Sequence, residues 1–324
     1  MTSIYTRTQI EDVLPAIDVV QEIADGFVSF SRGEVEVPPV GELLFPKHHG
    51  EFHIKYGAIR GDDVFVVKLA TGFFNNPGFG LPPFGGCMLV LSQETGMIEA
   101  ILLEEGELTN HRTAAAGAVA AKALAPANVS KIGIVGTGVQ ARLQADYLRR
   151  VNDCRNITIW GRRSEAVESA AADIAAMGFN VDVSATLDHL CENAQLIVTT
   201  TPSDAPLLTK DMVCPGTHIT AIGSDTPDKN EVAPEVLAVA DLVVADSLAQ
   251  SEMRGEIFQA RQAGLLDDAK INELGDVLTD PSKGRVSDSQ ISLADLTGVA
   301  VQDIAIAKAV LSHLKPGNGV HDSQ

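Results

Sequence analysis

Apolar residues recur along this chain with two different rhythms, and the change of rhythm divides it. From about residue 128 to 250, short apolar runs alternate with amphipathic stretches. KIGIVG (131–136) reads as a buried strand and VQARLQADYLRRV (139–151) as a helix. NITIW (156–160) is the next strand and SEAVESAAADIAAMG (164–178) the next helix, and NVDVSA, QLIVTTT, HITAIG and DLVVAD follow as further strands. Strands alternating with helices at this spacing predict right-handed βαβ units and a doubly wound parallel sheet. The first 125 residues differ. IEDVLPAIDVVQEIADGFVSFSRG predicts one or two amphipathic helices stopped at Gly33. EFHIKYGAI, DDVFVVKLAT, GCMLVLS and MIEAILLE are strand-like runs broken by Gly, Pro, Asn and Asp, as in a mostly antiparallel sheet joined by turns. TNHRTAAAGAVAAKALA predicts a helix capped at Thr109 or Asn110, and 299–314 a last helix that returns to the first domain. PGNGVHDSQ reads as a frayed end. The expected fold class is α/β, with a parallel sheet over 126–298 and a smaller α+β domain over 1–125 completed by the 299–314 helix.

A length of 324 residues suits two domains. Lys and Arg number 24 against 43 Asp and Glu, a formal net charge of −19. A nucleic-acid binder needs a surplus of cations to displace counterions from phosphates, so that class is disfavoured. No apolar run approaches the ~20 residues that span a bilayer, and MTSIYTRTQIEDVLP lacks the basic start and apolar block of a secretory signal. Cys87, Cys154, Cys191 and Cys214 are far apart, which fits reduced thiols better than disulfides or a zinc site. A soluble cytoplasmic protein without membrane or nucleic-acid partners is the expectation.

Gly136-Thr137-Gly138-Val139-Gln140-Ala141 is a GxGxxA sequence directly after a strand and opening a helix. Gly136 allows the tight turn, Gly138 lets the backbone approach a pyrophosphate, and Ala141 lets helix and strand pack closely. Strand, loop and helix agree, so the segment predicts dinucleotide binding in a Rossmann-type domain. NAD enzymes usually place a carboxylate at the end of the second strand, here Trp160, whereas this chain has Gly161-Arg162-Arg163. Guanidinium groups there would admit the 2′-phosphate of NADP; two solvated arginines at a helix start is the other reading.

Lys68 lies in VFVVKLA, a run apolar on both faces, where an unpaired ammonium would be desolvated at a cost of several kcal/mol. Strand alternation puts His53 and Lys55 on one face. Arg112 follows the candidate caps, where a cation opposes the helix dipole. Internal salt bridges would explain each cation singly; three in neighbouring segments favour a shared anionic guest. Asp225 stands just past the strand HITAIG, at the sheet edge where open parallel sheets bind ligands, and could relay a proton or simply form a turn. His48 and His49 with His53 make no convincing metal site, and no metal is expected.

Together, VVKLATGF, LTNHRTAAAGAVAAKALA, GTGVQA, IGSDTPDKNEV and ISLADLTGVA resemble the ornithine cyclodeaminase/mu-crystallin family over roughly residues 50–310. The resemblance implies a Rossmann domain joined to a dimerising, substrate-binding domain, and a homodimer. It implies that Lys68 and Arg112 hold a substrate α-carboxylate and that Asp225 is the acid/base group. It assigns Val139, Gln140, Gly223, Ser224 and Lys229 to the dinucleotide, with Gly136, Gly138, Arg112, Arg162 and Thr200 as further cofactor candidates. Two departures stand out. Thirteen positions before the lysine the cyclodeaminase has an acid, and this chain has Lys55, which would repel a diamine and favour a second carboxylate. The family's preceding loop arginine has no evident counterpart in VPPVGELL (37–44). Within the family the chain most resembles bacterial iminosuccinate reductases, which make L-aspartate and use NAD. NAD is favoured by that resemblance and NADP by Arg162 and Arg163. Lys55, with His53 beside it, would attract the distal carboxylate. Ornithine cyclodeaminase, alanine dehydrogenase or ketimine reductase, and a non-catalytic mu-crystallin-like binding protein are the alternatives.

Overall fold

A computed structural model describes residues 2–314, and the expected frayed end at 316–324 lies outside them. The chain forms two compact units, Met1–Arg112 with Ala300–Gln324, and Thr113–Val299. The division falls inside the continuous helix Glu107–Leu124, earlier than the boundary at 125 drawn from the sequence.

The first unit is built on seven strands: β1 (Ser3–Thr6), β2 (Val35–Glu36), β3 (Gly41–Phe45), β4 (Gly50–Ile59), β5 (Val64–Phe73), β6 (Phe84–Ser92) and β7 (Ile98–Leu103). Their order is β1-β7-β6-β5-β4-β2, with β3 also on β4. The expected antiparallel pairing holds from β2 to β7, while the unforeseen β1 adds to β7 in parallel. Alternation sends Lys55, Val66, Lys68, Met88, Val90, Ala100 and Leu102 to one buried face. The helix Ala300–Leu314, apolar on nearly every side, packs against β4, β5 and the helix Val19–Ser31. The latter is capped by Asp18, which accepts from Gln21 N at 3.2 Å, and Gly33 ends it with φ +69° as expected.

The second unit holds β8 (Ile132–Val135), β9 (Asn156–Trp160), β10 (Asn180–Val183), β11 (Leu196–Thr199), β12 (His218–Ala221), β13 (Leu242–Ala245), β14 (Ile271–Glu273) and β15 (Ser292–Asp295). All pairs are parallel, in the order β10-β9-β8-β11-β12-β15-β13-β14. This is the doubly wound α/β sheet expected. The strand order reverses between β8 and β11, and such a switch point leaves a crevice at the carboxyl ends of the strands. Strands β8, β11, β12, β13 and β15 are buried along their length, as the mostly apolar sequences of β8, β11 and β13 reflect. Among the described residues no helix is long and apolar enough to cross a membrane.

Candidate functional site

The glycine loop follows β8 directly. Gly136 has φ +126°, and a Cβ there would lie 2.3 Å from Thr200 Oγ1. Only glycine fits that turn. Thr200, at the end of β11, is held by its own N–H and hydroxyl, which donate to Val135 O at 2.9 and 3.1 Å. Gly138 caps the helix Val139–Leu148, and no atom lies within 4 Å of where its Cβ would be. That open cradle, at the N-terminus of the helix and at the β8/β11 switch point, fits a dinucleotide pyrophosphate. Ala141 is fully buried, as close helix–strand packing requires. Val139 is exposed; Gln140 accepts from Gln144 Nε2 at 3.4 Å. No carboxylate ends β9, and Arg162 and Arg163 are both exposed beyond Trp160.

Two buried carboxylates that sequence reasoning missed shape the loop after β12. Glu231 accepts from Thr199 Oγ1 (2.7 Å), Thr201 N (2.5 Å), Thr201 Oγ1 (2.7 Å) and Gly223 N (2.7 Å), tying the end of β11 to that of β12. Glu256 accepts from Ser224 Oγ (2.6 Å), Asn230 Nδ2 (2.6 Å), Glu231 N (2.8 Å) and Val232 N (3.2 Å). The segment between Ser224 and Asn230 is therefore fastened at both ends. Asp225 rises from it with a side chain 49% exposed, and Lys229 donates to its Oδ1 at 2.6 Å. Arg254 Nη1 donates to Asp225 O at 3.1 Å. Burial, then the charge of Asp295, pushes the Glu256 carboxyl up to about 8. Burial likewise raises Asp295 to about 7.

The cations of the first unit come together, but around a resident acid. Lys68 Nζ and Arg112 Nε each lie 3.0 Å from Asp303 Oδ1, and Arg112 Nη1 donates to Gln302 Oε1 at 2.6 Å. Lys55 stands opposite Lys68 in the β4–β5 register. Burial alone would raise the Asp303 carboxyl; the charges of Lys68, Arg112 and Lys55 outweigh it and hold the group below its ordinary range. Burial, then the charge of Arg112, lowers the Lys68 ammonium. Asp303 lies in an apolar stretch, VAVQDIAIAKA, so the test that singled out Lys68 would have found it too.

Two expectations need correction. Thr109 and Asn110 do not cap the helix, which starts at Glu107, so Arg112 sits more than a turn inside and does not oppose the dipole. The chain turns through Glu105 (φ +53°) and Gly106 (φ +90°), which lets the Glu104 carboxylate accept from Leu108 N at 2.8 Å and Thr109 N at 3.3 Å in their place. Burial raises the Glu104 carboxyl, against the pull of Lys68. His53 does share a face with Lys55, but carboxylates flank it, Glu42 Oε1 at 3.5 Å and Glu51 Oε1 at 3.8 Å. The cross-strand Glu42 and the i−2 Glu51 oppose the attraction of an anion there.

A profile of the ornithine cyclodeaminase/mu-crystallin family matches residues 1–318. An uncharacterised cyclodeaminase of Sinorhizobium fredii is 41% identical over 308 residues, 94% of this chain and 93% of its own. The iminosuccinate reductase of Paracoccus denitrificans is 34% identical over 294 residues, 89% of each chain. Its crystal structure in complex with NAD+ superposes with a TM-score of 0.87 at 31% identity, covering 95% of both chains. An archaeal alanine dehydrogenase dimer with bound NAD gives a TM-score of 0.87 at 32% identity, covering 96% of this chain and 95% of that one. The chain belongs to the ornithine cyclodeaminase/mu-crystallin family, and is an NAD(P)-dependent oxidoreductase acting on amino acids or imines.

Proposed function

We propose that this protein reduces a dicarboxylate imine, iminosuccinate, to L-aspartate. The observation that carries this reading is the convergence of three cations, Lys55, Lys68 and Arg112, whose charges all act on the one carboxylate of Asp303. Such a cluster suits a small guest with two negative groups. The iminosuccinate reductase of Paracoccus denitrificans, alike over most of its length, adds support.

Bound in the cradle at Gly138, the reduced nicotinamide cofactor supplies the hydride. Lys68 and Arg112 hold the α-carboxylate and so orient the imine carbon. Lys55 holds the distal carboxylate. Asp225 would supply or relay the proton that completes the amine at the imine nitrogen. Lys229, 2.6 Å from Asp225, keeps that carboxyl in place. Gly136, Val139, Gln140, Thr200, Gly223 and Ser224 shape the dinucleotide loops. NADH is the preferred coenzyme, as in the relatives crystallised with NAD, and Arg162 and Arg163 are solvated.

The protein acts as a homodimer. The outward face of the first sheet carries Tyr56, Val67, Leu89 and Ile101 in one cross-strand row and Phe65, Leu91 and Ile98 in the next, none of them buried and none charged. A second copy of this apolar face covers it sheet to sheet. Light scattering should give twice the chain mass, and Leu89→Glu should give the chain mass.

Following NADH and NADPH absorbance with oxaloacetate plus ammonia, pyruvate plus ammonia, glyoxylate plus methylamine, and ornithine tests the reading. The highest kcat/KM belongs to oxaloacetate plus ammonia. A cyclodeaminase is the second reading, favoured by Glu42 and Glu51 beside His53, which could meet a cationic side chain. Release of proline and ammonia from ornithine would put it first.

A further inference from the structure

We propose that Asp303 is a positioning residue for the carboxylate site: its Oδ1 holds Lys68 and Arg112 together, and its charge lets a fully buried ammonium stand beside a guanidinium. This inference rests on the reading of Lys68 and Arg112 as the substrate-carboxylate pair. Three elements meet at one oxygen, with β5 bringing Lys68, the helix Glu107–Leu124 bringing Arg112, and the helix Ala300–Leu314 bringing the acid. Lys68 Nζ donates a charge-assisted hydrogen bond to that oxygen at 3.0 Å, while Arg112 Nε lies 3.0 Å from it as an ion pair without a hydrogen bond. The neighbouring Gln302 takes Arg112 Nη1 at 2.6 Å, so two consecutive residues of one helix fix the guanidinium at two points. Asp303 Oδ2 is buried and accepts no hydrogen bond, so cations rather than neutral donors orient this carboxylate.

The groups that act on Lys68 are Arg112, Asp303 and Glu104, and Lys55 acts on Asp303 from β4. Lys68 is 1% exposed. With Asp303 neutralised, its ammonium would face Arg112 without its ion-pair partner and would release its proton nearer neutrality. One of the two charges of the site would then fade as pH rises.

The test uses Asp303→Asn, loaded with NADH and titrated with succinate, a saturated dicarboxylate, by calorimetry between about pH 6.5 and 9. The ratio of its succinate Kd to that of the wild type should climb about tenfold across the range, one unit of lost charge stabilisation. NADH affinity should stay within about twofold, because the dinucleotide loops are untouched. Urea unfolding supplies a readout without ligand. A base with a depressed folded pKa stabilises more as pH rises toward its unfolded value, so the variant should gain stability relative to wild type over the same range. The double variant Lys68→Met/Asp303→Asn removes the ammonium and the need for its counter-charge, and both the drift in Kd ratio and the drift in stability should vanish. A flat profile in Asp303→Asn would overturn the proposal, as would a double variant that keeps the drift or fails to fold. If Lys68→Met leaves succinate binding unchanged, the carboxylate-site reading fails instead, and the unfolding comparison still judges Asp303.

Discussion

In the first unit a buried carboxylate, Asp303, is met by cations, with Lys68 and Arg112 at 3.0 Å, whereas in the second the buried Glu231 and Glu256 are met by neutral donors. The physical consequences differ. Surrounding charges lower the Asp303 carboxyl, while burial without a cation raises Glu231 and carries Glu256 to about 8. An ion-pair cluster has a field that a charged ligand can join, so it suits recognition. A carboxylate that gathers N–H and O–H groups from separated loops fixes geometry, so it suits positioning. On the proposed function, the first unit would carry the substrate's charge specificity, while Glu231 and Glu256 in the second hold the loop that bears Asp225 in shape.

The largest effect that would sharpen this contrast is expected at Asp225. Asp225→Asn should lower kcat by about 100-fold or more, the usual range for a positioned acid or base, with NADH affinity within about twofold. Unchanged turnover would reduce the second unit to positioning alone.

The pH dependence of stability should show a moderate effect. Glu256 and Asp295 have folded pKa values raised to about 8 and about 7, so their contribution is full at low pH and is lost as pH rises through those values. His218, buried between Ser292 and Thr220, is lowered to about 3 by burial. Its contribution is present above its unfolded value of 6.5 and is lost as pH falls. The carboxyl contributions start to be lost above the unfolded values of 4.5 and 3.8, so on these three groups Tm should be highest at about pH 4 and decline toward alkaline pH. Glu256→Gln should flatten the alkaline limb alone; an unchanged alkaline limb would place the ionising group elsewhere.

The smallest effect is expected at the exposed arginines. Arg162→Ala/Arg163→Ala should change the KM for NADH by less than about twofold, as for solvated surface charges. A larger rise for NADPH than for NADH would show that the pair holds a 2′-phosphate.

Much of this was legible in the sequence where structure is local. Strand–helix alternation foretold the parallel sheet, and GTGVQA its tight turn and helix start, because both lie within six residues. The misses are non-local or short. Strand β1 is four residues, and β15 is the fully buried SLAD, whose Asp295 disguises an interior strand inserted between β12 and β13. Glu104 displaced the expected caps because a left-handed turn, invisible to periodicity, brings its carboxylate over the helix start. Glu231 and Glu256 escaped notice because most of their donors are between 25 and 32 residues away. Lys68 was found because a charge in an apolar run demands a partner, yet the partner, Asp303, is 235 residues further on.

The account depends above all on Lys55 as the group that selects a second carboxylate. The direct test is the ratio of kcat/KM for oxaloacetate plus ammonia to that for pyruvate plus ammonia, with NADH, in wild type and in Lys55→Glu. The wild type should favour the four-carbon dicarboxylate, and the variant should lose at least about tenfold of that preference, the value of one well-placed charge. An equal fall for both substrates, or a wild type that prefers pyruvate, would contradict it.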